Sequence, residues 1–536
     1  MGLKPHTTEG TFDYIVVGGG WAGCIVAARL SEDPRARVLL LEAGDENTHE
    51  YAYYASGVHN MWGEKTNWPF SSTPQSELGG RSINHPRGRV IGGSAAINVG
   101  SWSRGIPDDY DRWARAGAVG WGWSSALDVF KQAEASTRPD DGTRGRNGPL
   151  RLEDAPVGSP MTDLFREACI EAGVGVTEDH NGHQFEGFDR WETIFPDGRR
   201  RNSAEAYLDT VVRTRENLKV VTGAFVTKVI IEGGRAVGVQ CELASAIRRV
   251  TASREVVLCA GAFQSPQLLM LSGIGPADHL RAHGINVVTD LPGVGANLID
   301  HANFGIGAAA VSGGIAPVRP DAADPAQLAT WRHTGYGPLS VIQNPAIAFV
   351  RSRPELVYAD IEILFHIGPP SDLVKDPTTS GFWILIAHVD PMSRGEIRLA
   401  SSDPHEAPLI DFRYLSHPED LPAMIGGTRK AMRIAATKPL EPYMARRNYD
   451  PKASDEELGA RIRSSSQTMF HPVGTARMGA NDDPMAVLDP QLRVRGIKGL
   501  RVMDASAMPG IVRGHTLAPA LYIAERGCAL MRRDAD

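Results

Sequence analysis

Residues 14–17 (YIVV) form a short unbroken apolar run rich in β-branched side chains, the pattern of a strand covered on both faces. A helix of small and apolar residues opens directly after it, and a second unbroken run, 38–41 (VLLL), reads as the neighbouring strand. Apolar runs at 218–221, 224–231, 235–240 and 255–260 are divided by glycine turns and read as further strands, the last feeding a helix through Gly261. Residues 361–366 and 382–388 read as another strand pair, 499–504 as a strand ending in Asp504, and 516–525 as a helix. Residues 200–208 read as an amphipathic helix with Ser203 as its cap. The first ten residues are polar and read as a loose arm. Residues 305–340, rich in Ala, Gly and Pro, carry the weakest pattern and fit a surface excursion or an oligomer contact. Strand, glycine turn, helix and strand in succession predict an α/β protein with a mostly parallel, Rossmann-like sheet.

The glycine turn after 14–17 adds chemistry to this pattern. Gly18, Gly20 and Gly23 stand at GxGxxG spacing, with Trp21 and Ala22 opening the helix. Gly18 permits the tight turn, Gly20 lets the backbone approach a pyrophosphate, and Gly23 lets the helix pack on the strand. The helix N-terminus offers free N–H groups and a positive dipole end to that anion. Glu42 ends the second strand, where an acid accepts ribose hydroxyls and disfavours the 2′-phosphate of NADP. Trp68, in an aromatic loop spanning 51–70, either walls the cofactor or plugs the loop onto the core. Residues 87–98 (RGRVIGGSAAIN) include Arg89, Val90, Gly93 and Asn98. Their adjacent glycines and small residues suit a backbone pressed flat against a planar ligand, with Asn98 making polar contacts; a β-turn into a packed helix is the plainer alternative.

Composition narrows the class. With 536 residues, 42% hydrophobic and 22% charged, the chain reads as a globular enzyme of two to four domains, or of one large domain with insertions. A net charge of −7 argues against a nucleic-acid surface. No apolar run is long enough to span a bilayer. The N-terminus lacks the apolar centre of a signal peptide and has His6 where a myristoylation signal needs Ser or Thr. Five scattered cysteines, without CxxC spacing, fit a reducing cytoplasm. His180 and His183 have no neighbouring cysteine or carboxylate pattern and read as loop histidines, so no metal is expected. Nothing in the pattern specifies an oligomeric state.

RGRVIGGSAAINVGSWSRG (87–105) and GAFQSPQLLMLSGIG (261–275) resemble, in order, the two signatures of the glucose-methanol-choline (GMC) oxidoreductase family. The resemblance covers nearly the whole chain. It implies FAD, held without a covalent bond because Ile97 stands where some relatives carry the histidine that attaches flavin. It implies that the Val226 backbone touches the adenine and that Asp504 and Ala505 approach the diphosphate and ribityl chain. The helix opening near Thr516 and Leu517 would aim its N–H groups at the flavin pyrimidine ring. His471 falls at the active-site histidine and His515 where relatives carry a second histidine or an asparagine, so one takes the hydroxyl proton of an alcohol and the other orients it.

The resemblance further implies an antiparallel sheet roofing the flavin, with Phe365, His366, Phe382 and Trp383 either facing substrate or packed in the core, and Phe470 beside them. The expected division is an FAD-binding domain from 10–150, 198–302 and 470–536, and a substrate-binding domain from 151–197 and 303–469. The turn continuing from Phe470 and His471 as GTAR (474–477) is similar to the hydroxymethylfurfural and aryl-alcohol oxidase branch, which suggests a small primary alcohol on an aromatic or heteroaromatic ring, with aliphatic or sugar-like alcohols as the alternative. Dioxygen or a quinone would then reoxidise the flavin. Ala476 in place of a frequent cysteine, and His515-Thr-Leu517 in place of Asn-Pro-Asn, leave the substrate and the sharing of roles between the two histidines open. A hydroxynitrile lyase, using FAD without net redox, and a flavoprotein without turnover are the alternatives.

Overall fold

The structure is a computed structural model that describes residues 10–535 except 64, 157–158, 312, 316, 343, 375 and 377. The expected N-terminal arm lies outside the described residues. Two seven-stranded sheets organise the rest.

The first sheet runs in the order 224–232, 235–243, 246–258, 11–17, 38–41 and 218–221, with Leu500–Val502 also paired to Ala246–Leu258. Thr11–Val17 pairs in parallel with Val38–Leu41 and with the second half of Ala246–Leu258; Leu218–Val221 and Leu500–Val502 extend the parallel core. Residues 224–250 form an antiparallel meander at one edge. The strand expected over 255–260 therefore starts at Ala246, because its polar first half pairs within the meander and only its apolar end reaches the parallel core. Parallel strands aligned this way bring their carboxyl ends to one edge, where α/β sheets open a ligand crevice. Helices Trp21–Leu30 and Leu517–Ala535 start at that edge and pack against each other.

The second sheet is antiparallel throughout, in the order 446–447, 302–309, 381–388, 361–367, 346–350 and 187–190, with 467–468 also joined to 302–309. Helices Asp420–Ala435 and Met161–Glu171 cover one face, and the other faces the crevice of the first sheet. Because strand side chains alternate between faces, phase decides which residues can meet a ligand.

Two local expectations are refined. The helix near 200–208 is only Ser203–Tyr207, and its cap is Asn202, whose side chain accepts the Ala204 N–H while Glu205 accepts the Asn202 N–H. The 305–340 segment is anchored at its two ends, while every described residue from 311 to 330 is partly or fully exposed, as a surface excursion would be. It contains the end of strand Ala302–Ala309 and helix Pro325–Thr334, capped by Asp324, whose Trp331 is buried edge-on against Tyr54 at 5.1 Å.

Candidate active site

A cavity of about 640 Å³ lies between the two sheets. Gly18, Gly20, Trp21, Ala22, Glu42, Trp68 and Val226 line its nucleotide end, and Gly93, Asn98, Asp504 and Ala505 its middle. Phe470, His471, His515, Thr516 and Leu517 line the far end, faced by His366 and Trp383 from the second sheet.

Five of the expected residues stand behind this wall. Gly23 packs the helix on its strand: a Cβ there would lie 1.8 Å from the Gly18 carbonyl oxygen. Arg89 stacks its guanidinium over the Trp68 ring, 4.5 Å from its centroid, and Val90 is buried with Ala52, Met61, Ala96 and Ile97. From that loop the cavity meets Gly88 and the 93–98 segment instead. Phe365 and Phe382 are corrected by strand phase. His366 lies opposite Trp383 in the ladder and shares the cavity face with Leu364 and Leu385, so Phe365 and Phe382 point to the helix side. There Phe365 stacks on Phe165 at 4.3 Å and on Phe382 at 5.6 Å.

The nucleotide end suits a dinucleotide phosphate. Helix Trp21–Leu30 has no side-chain cap and no acid in its first turn, so its leading N–H groups open on the cavity. Trp21 Nε1 is buried without a partner. A Cβ on Gly93 would stand 2.6 Å from the Gly20 Cα, so two bare backbones meet at the floor. The Glu42 carboxylate accepts the Gly19 and Gly44 N–H groups, both at 2.7 Å. Burial pushes its pKa up to about 7, against the pull of those amides. Asp504 is also buried, with its pKa raised by burial. Its oxygens are committed to the Gly261 N–H at 2.8 Å, the Ser265 hydroxyl at 2.6 Å and the Ser506 N–H at 2.8 Å, which ties strand Leu500–Val502 to helix Gly261–Leu271.

At the far end the His471 and His515 rings stand 4.7 Å apart and 69° to each other. His471 Nδ1 lies 3.0 Å from His301 Nδ1, and its backbone N–H donates to Asp300 at 2.7 Å. Burial drives the His471 pKa well below the ordinary histidine value, reinforced by His515, His301 and Arg87. His515 Nε2 lies 2.9 Å from Glu362 Oε1, and Trp191 packs edge-on to His515 at 5.7 Å. Phe470 has a left-handed backbone, φ 63°; its N–H donates to Thr468 Oγ1 at 2.6 Å and its carbonyl accepts from Arg87 at 2.9 Å. Trp62 meets the Phe470 ring edge-on at 5.6 Å.

Sequence reasoning did not single out Arg87, Asp300, His301 or Glu362. Glu362 had a readable signal: it is the one acid inside the otherwise apolar 361–365 run, in phase with the cavity-facing Leu364 and His366. Asp300 and His301 follow the short strand Ala296–Leu298 and left no periodic trace.

His180 does meet carboxylates. Its Nδ1 lies 2.6 Å from Asp189, and ligand atoms of Asp179, His180 and Asp189 lie within 4.8 Å of one another. Arg138 donates to both acids, at 3.0 and 2.7 Å, so a guanidinium supplies the positive charge there.

The GMC oxidoreductase N-terminal family model matches residues 12–303 and the C-terminal one 391–524. The chain belongs to the GMC oxidoreductase family. An uncharacterized GMC-type oxidoreductase of Mycobacterium tuberculosis H37Rv is 40% identical, over 97% of this chain and 99% of that protein. The oxygen-dependent choline dehydrogenase of Brucella ovis is 38% identical, over 96% and 94%. Among solved structures, pyridoxine 4-oxidase from Mesorbium loti superposes with a TM-score of 0.88 at 32% identity, over 98% and 99% of the two chains. A fungal aryl-alcohol oxidase superposes at 0.84 and 25% identity, over 98% and 100%. This GMC oxidoreductase is an FAD-dependent enzyme that oxidises an alcohol. Among its described residues no helix is long and apolar enough to cross a membrane.

Proposed function

We propose that the enzyme oxidises a small primary aryl or heteroaryl alcohol to its aldehyde, with His471 as the base. The observation that carries this reading is the pair of imidazoles, 4.7 Å apart on the cavity wall, each backed by a different buried group. FAD, bound with its nucleotide end at the glycine turn, supplies the hydride acceptor. The substrate hydroxyl stands between the two rings; its proton goes to His471 Nε2, while His515 orients the oxygen. A base must be neutral to accept, and the depressed pKa of His471 keeps it neutral well into mild acid.

Trp62, Trp191, Trp383 and Phe470 line the space in front of the histidines, an apolar slot suited to a flat ring. His366, 3.0 Å from Asn344 through Nδ1, and Asn303 add polar groups that a ring substituent would reach.

His471→Ala should lower the rate of flavin reduction by about 10²-fold or more while FAD remains bound. A variant that reduces its flavin at nearly the parent rate rejects the assignment. An alcohol panel run with and without oxygen separates dioxygen from a quinone or dye as acceptor. Bleaching of the flavin band by an alcohol under anaerobic conditions distinguishes oxidation from lyase chemistry and from a flavoprotein without turnover.

A further inference from the structure

The base in this reading has an unusual neighbour. His301 is fully buried and faces His471 nitrogen to nitrogen, Nδ1 to Nδ1, at 3.0 Å. The two segments that carry these rings are locked in antiparallel register. Ile299 and Val473 exchange backbone hydrogen bonds at 3.1 and 3.0 Å, and the Met469 N–H donates to the His301 carbonyl at 2.9 Å. Asp300, between Ile299 and His301, accepts the His471 N–H at 2.7 Å and is further held by the hydroxyls of Tyr414 and Thr468. Ring and backbone of His471 are therefore both held by one dipeptide.

Burial, with His515 and His388 close by, pushes the His301 pKa down to about 3, against Asp390 and the Val389 carbonyl, which pull it up. His301 is thus a neutral ring with a single N–H. His471, flanked by His301, His515 and Arg87, is neutral as well. Two neutral imidazoles meeting at Nδ1 must share one proton: one ring donates and the other accepts. Were His301 the donor, His471 would carry its own proton on Nε2 and present an N–H to the cavity. Were His471 the donor, its Nε2 lone pair faces the cavity. Only the second arrangement holds a base. The Val389 carbonyl pulls the His301 pKa up and so lies near this ring, while His301 Nε2 has no hydrogen-bond partner among the described residues.

We propose that His301 is a positioning residue that accepts the His471 Nδ1–H and so fixes the tautomer in which His471 Nε2 is free to take the substrate proton. This rests on His471 being the base. An aspartate in the same place would also stabilise the imidazolium; a neutral imidazole orients the ring without adding charge, which matches the low pKa of His471.

Histidine-selective ¹⁵N spectroscopy of the holoenzyme, with the His471 signals assigned by loss in His471→Ala, reads the tautomer directly. A protonated Nδ1 and an unprotonated Nε2 on His471 are expected; a protonated Nε2 overturns the proposal. His301→Leu should reduce its flavin with alcohol about 10²-fold more slowly, with substrate Kd from the same titration changed less than about threefold and the His471 signals split between tautomers. His301→Asn, which places an amide oxygen where Nδ1 was, should recover the rate to within about tenfold of the parent. A His301→Leu rate within threefold of the parent, or an Asn variant no better than Leu, also overturns it. Should the Leu variant fail to fold, the ¹⁵N result on the unsubstituted enzyme decides. Failure of the base assignment shows separately, as a His471→Ala enzyme that still reduces its flavin.

Discussion

Glu42 shows how a single buried group links stability to pH. Its pKa is about 7 in the folded protein against a usual carboxylate value of 4.5, because burial outweighs the two amides that it accepts from. Between those values the unfolded chain has ionised this group and the folded one has not, so its contribution to stability falls as pH rises from about 4.5 to 7. The size is on the order of 3 kcal/mol. In FAD-free protein, Glu42→Gln should flatten the decline of urea stability over that window; an unchanged slope would show that Glu42 titrates normally. Ile97 makes a second case. It lines the cavity with no nucleophilic atom at the position where some relatives attach flavin, so acid precipitation should leave the yellow colour in the supernatant. Colour retained in the pellet would mean a covalent link elsewhere. Residues of this kind were legible because a motif placed them. His301 was not, because it meets His471 only across the fold and no spacing records such a contact, whereas Glu362 left the trace of a lone acid in an apolar run.

At the element scale, the glycine turn separates two roles that the GxGxxG spacing presents together. Gly20 has an ordinary extended backbone, φ −76°, and a Cβ there would meet only the Gly93 Cα, at 3.9 Å. Gly20→Ala should therefore leave FAD-free stability within about 1 kcal/mol of the parent, since nothing in the protein is displaced, yet weaken FAD binding by about tenfold or more. Gly23→Ala drives a methyl group into the Gly18 carbonyl and should cost about 3 kcal/mol or more of stability whether or not FAD is present. Urea unfolding and flavin titration of both variants check this; equal loss of stability in the two would remove the distinction. The parallel strands at 14–17 and 38–41 were readable because both faces are covered and the runs are unbroken. Strands 361–367 and 381–388 were readable as strands, but not in phase: with apolar residues on both faces, alternation is lost, and Phe365 and Phe382 look no different from Trp383 until the register is known. The Asn202 cap was missed by one residue, a local choice between two good capping side chains.

At the scale of the whole molecule, the wall behind His515 adjoins a buried ion network contributed by distant parts of the chain. Trp191, which packs against His515, precedes Glu192, and Glu192 accepts from Arg144, from the Ser136 hydroxyl at 2.8 Å and from the Asn181 amide at 3.0 Å. Arg104 and Glu134 pair beside it, fully buried, and the Trp102 indole N–H donates to Glu134 at 2.8 Å. Burial alone would raise the Glu192 pKa, but Arg144 and Arg138 outweigh it and hold it below the usual carboxylate range. A carboxyl lowered in this way contributes its full stability above its unfolded pKa, near 4.5, and loses it as pH falls through the folded value. Replacing both members of such a pair with apolar groups can be nearly neutral, whereas removing one leaves the other charge buried and alone. Glu192→Gln should thus cost about 3 kcal/mol or more at pH 7, by denaturant unfolding, and flatten the acid side of the stability profile below pH 4.5. Because Trp191 is the neighbour of the substituted residue, the same variant should also bind aryl alcohols more weakly, while its FAD content at pH 7 stays near the parent value, since no group in this network lines the nucleotide end of the cavity. A variant as stable as the parent would mean that the arginines find other anions, and that the wall is held by packing alone.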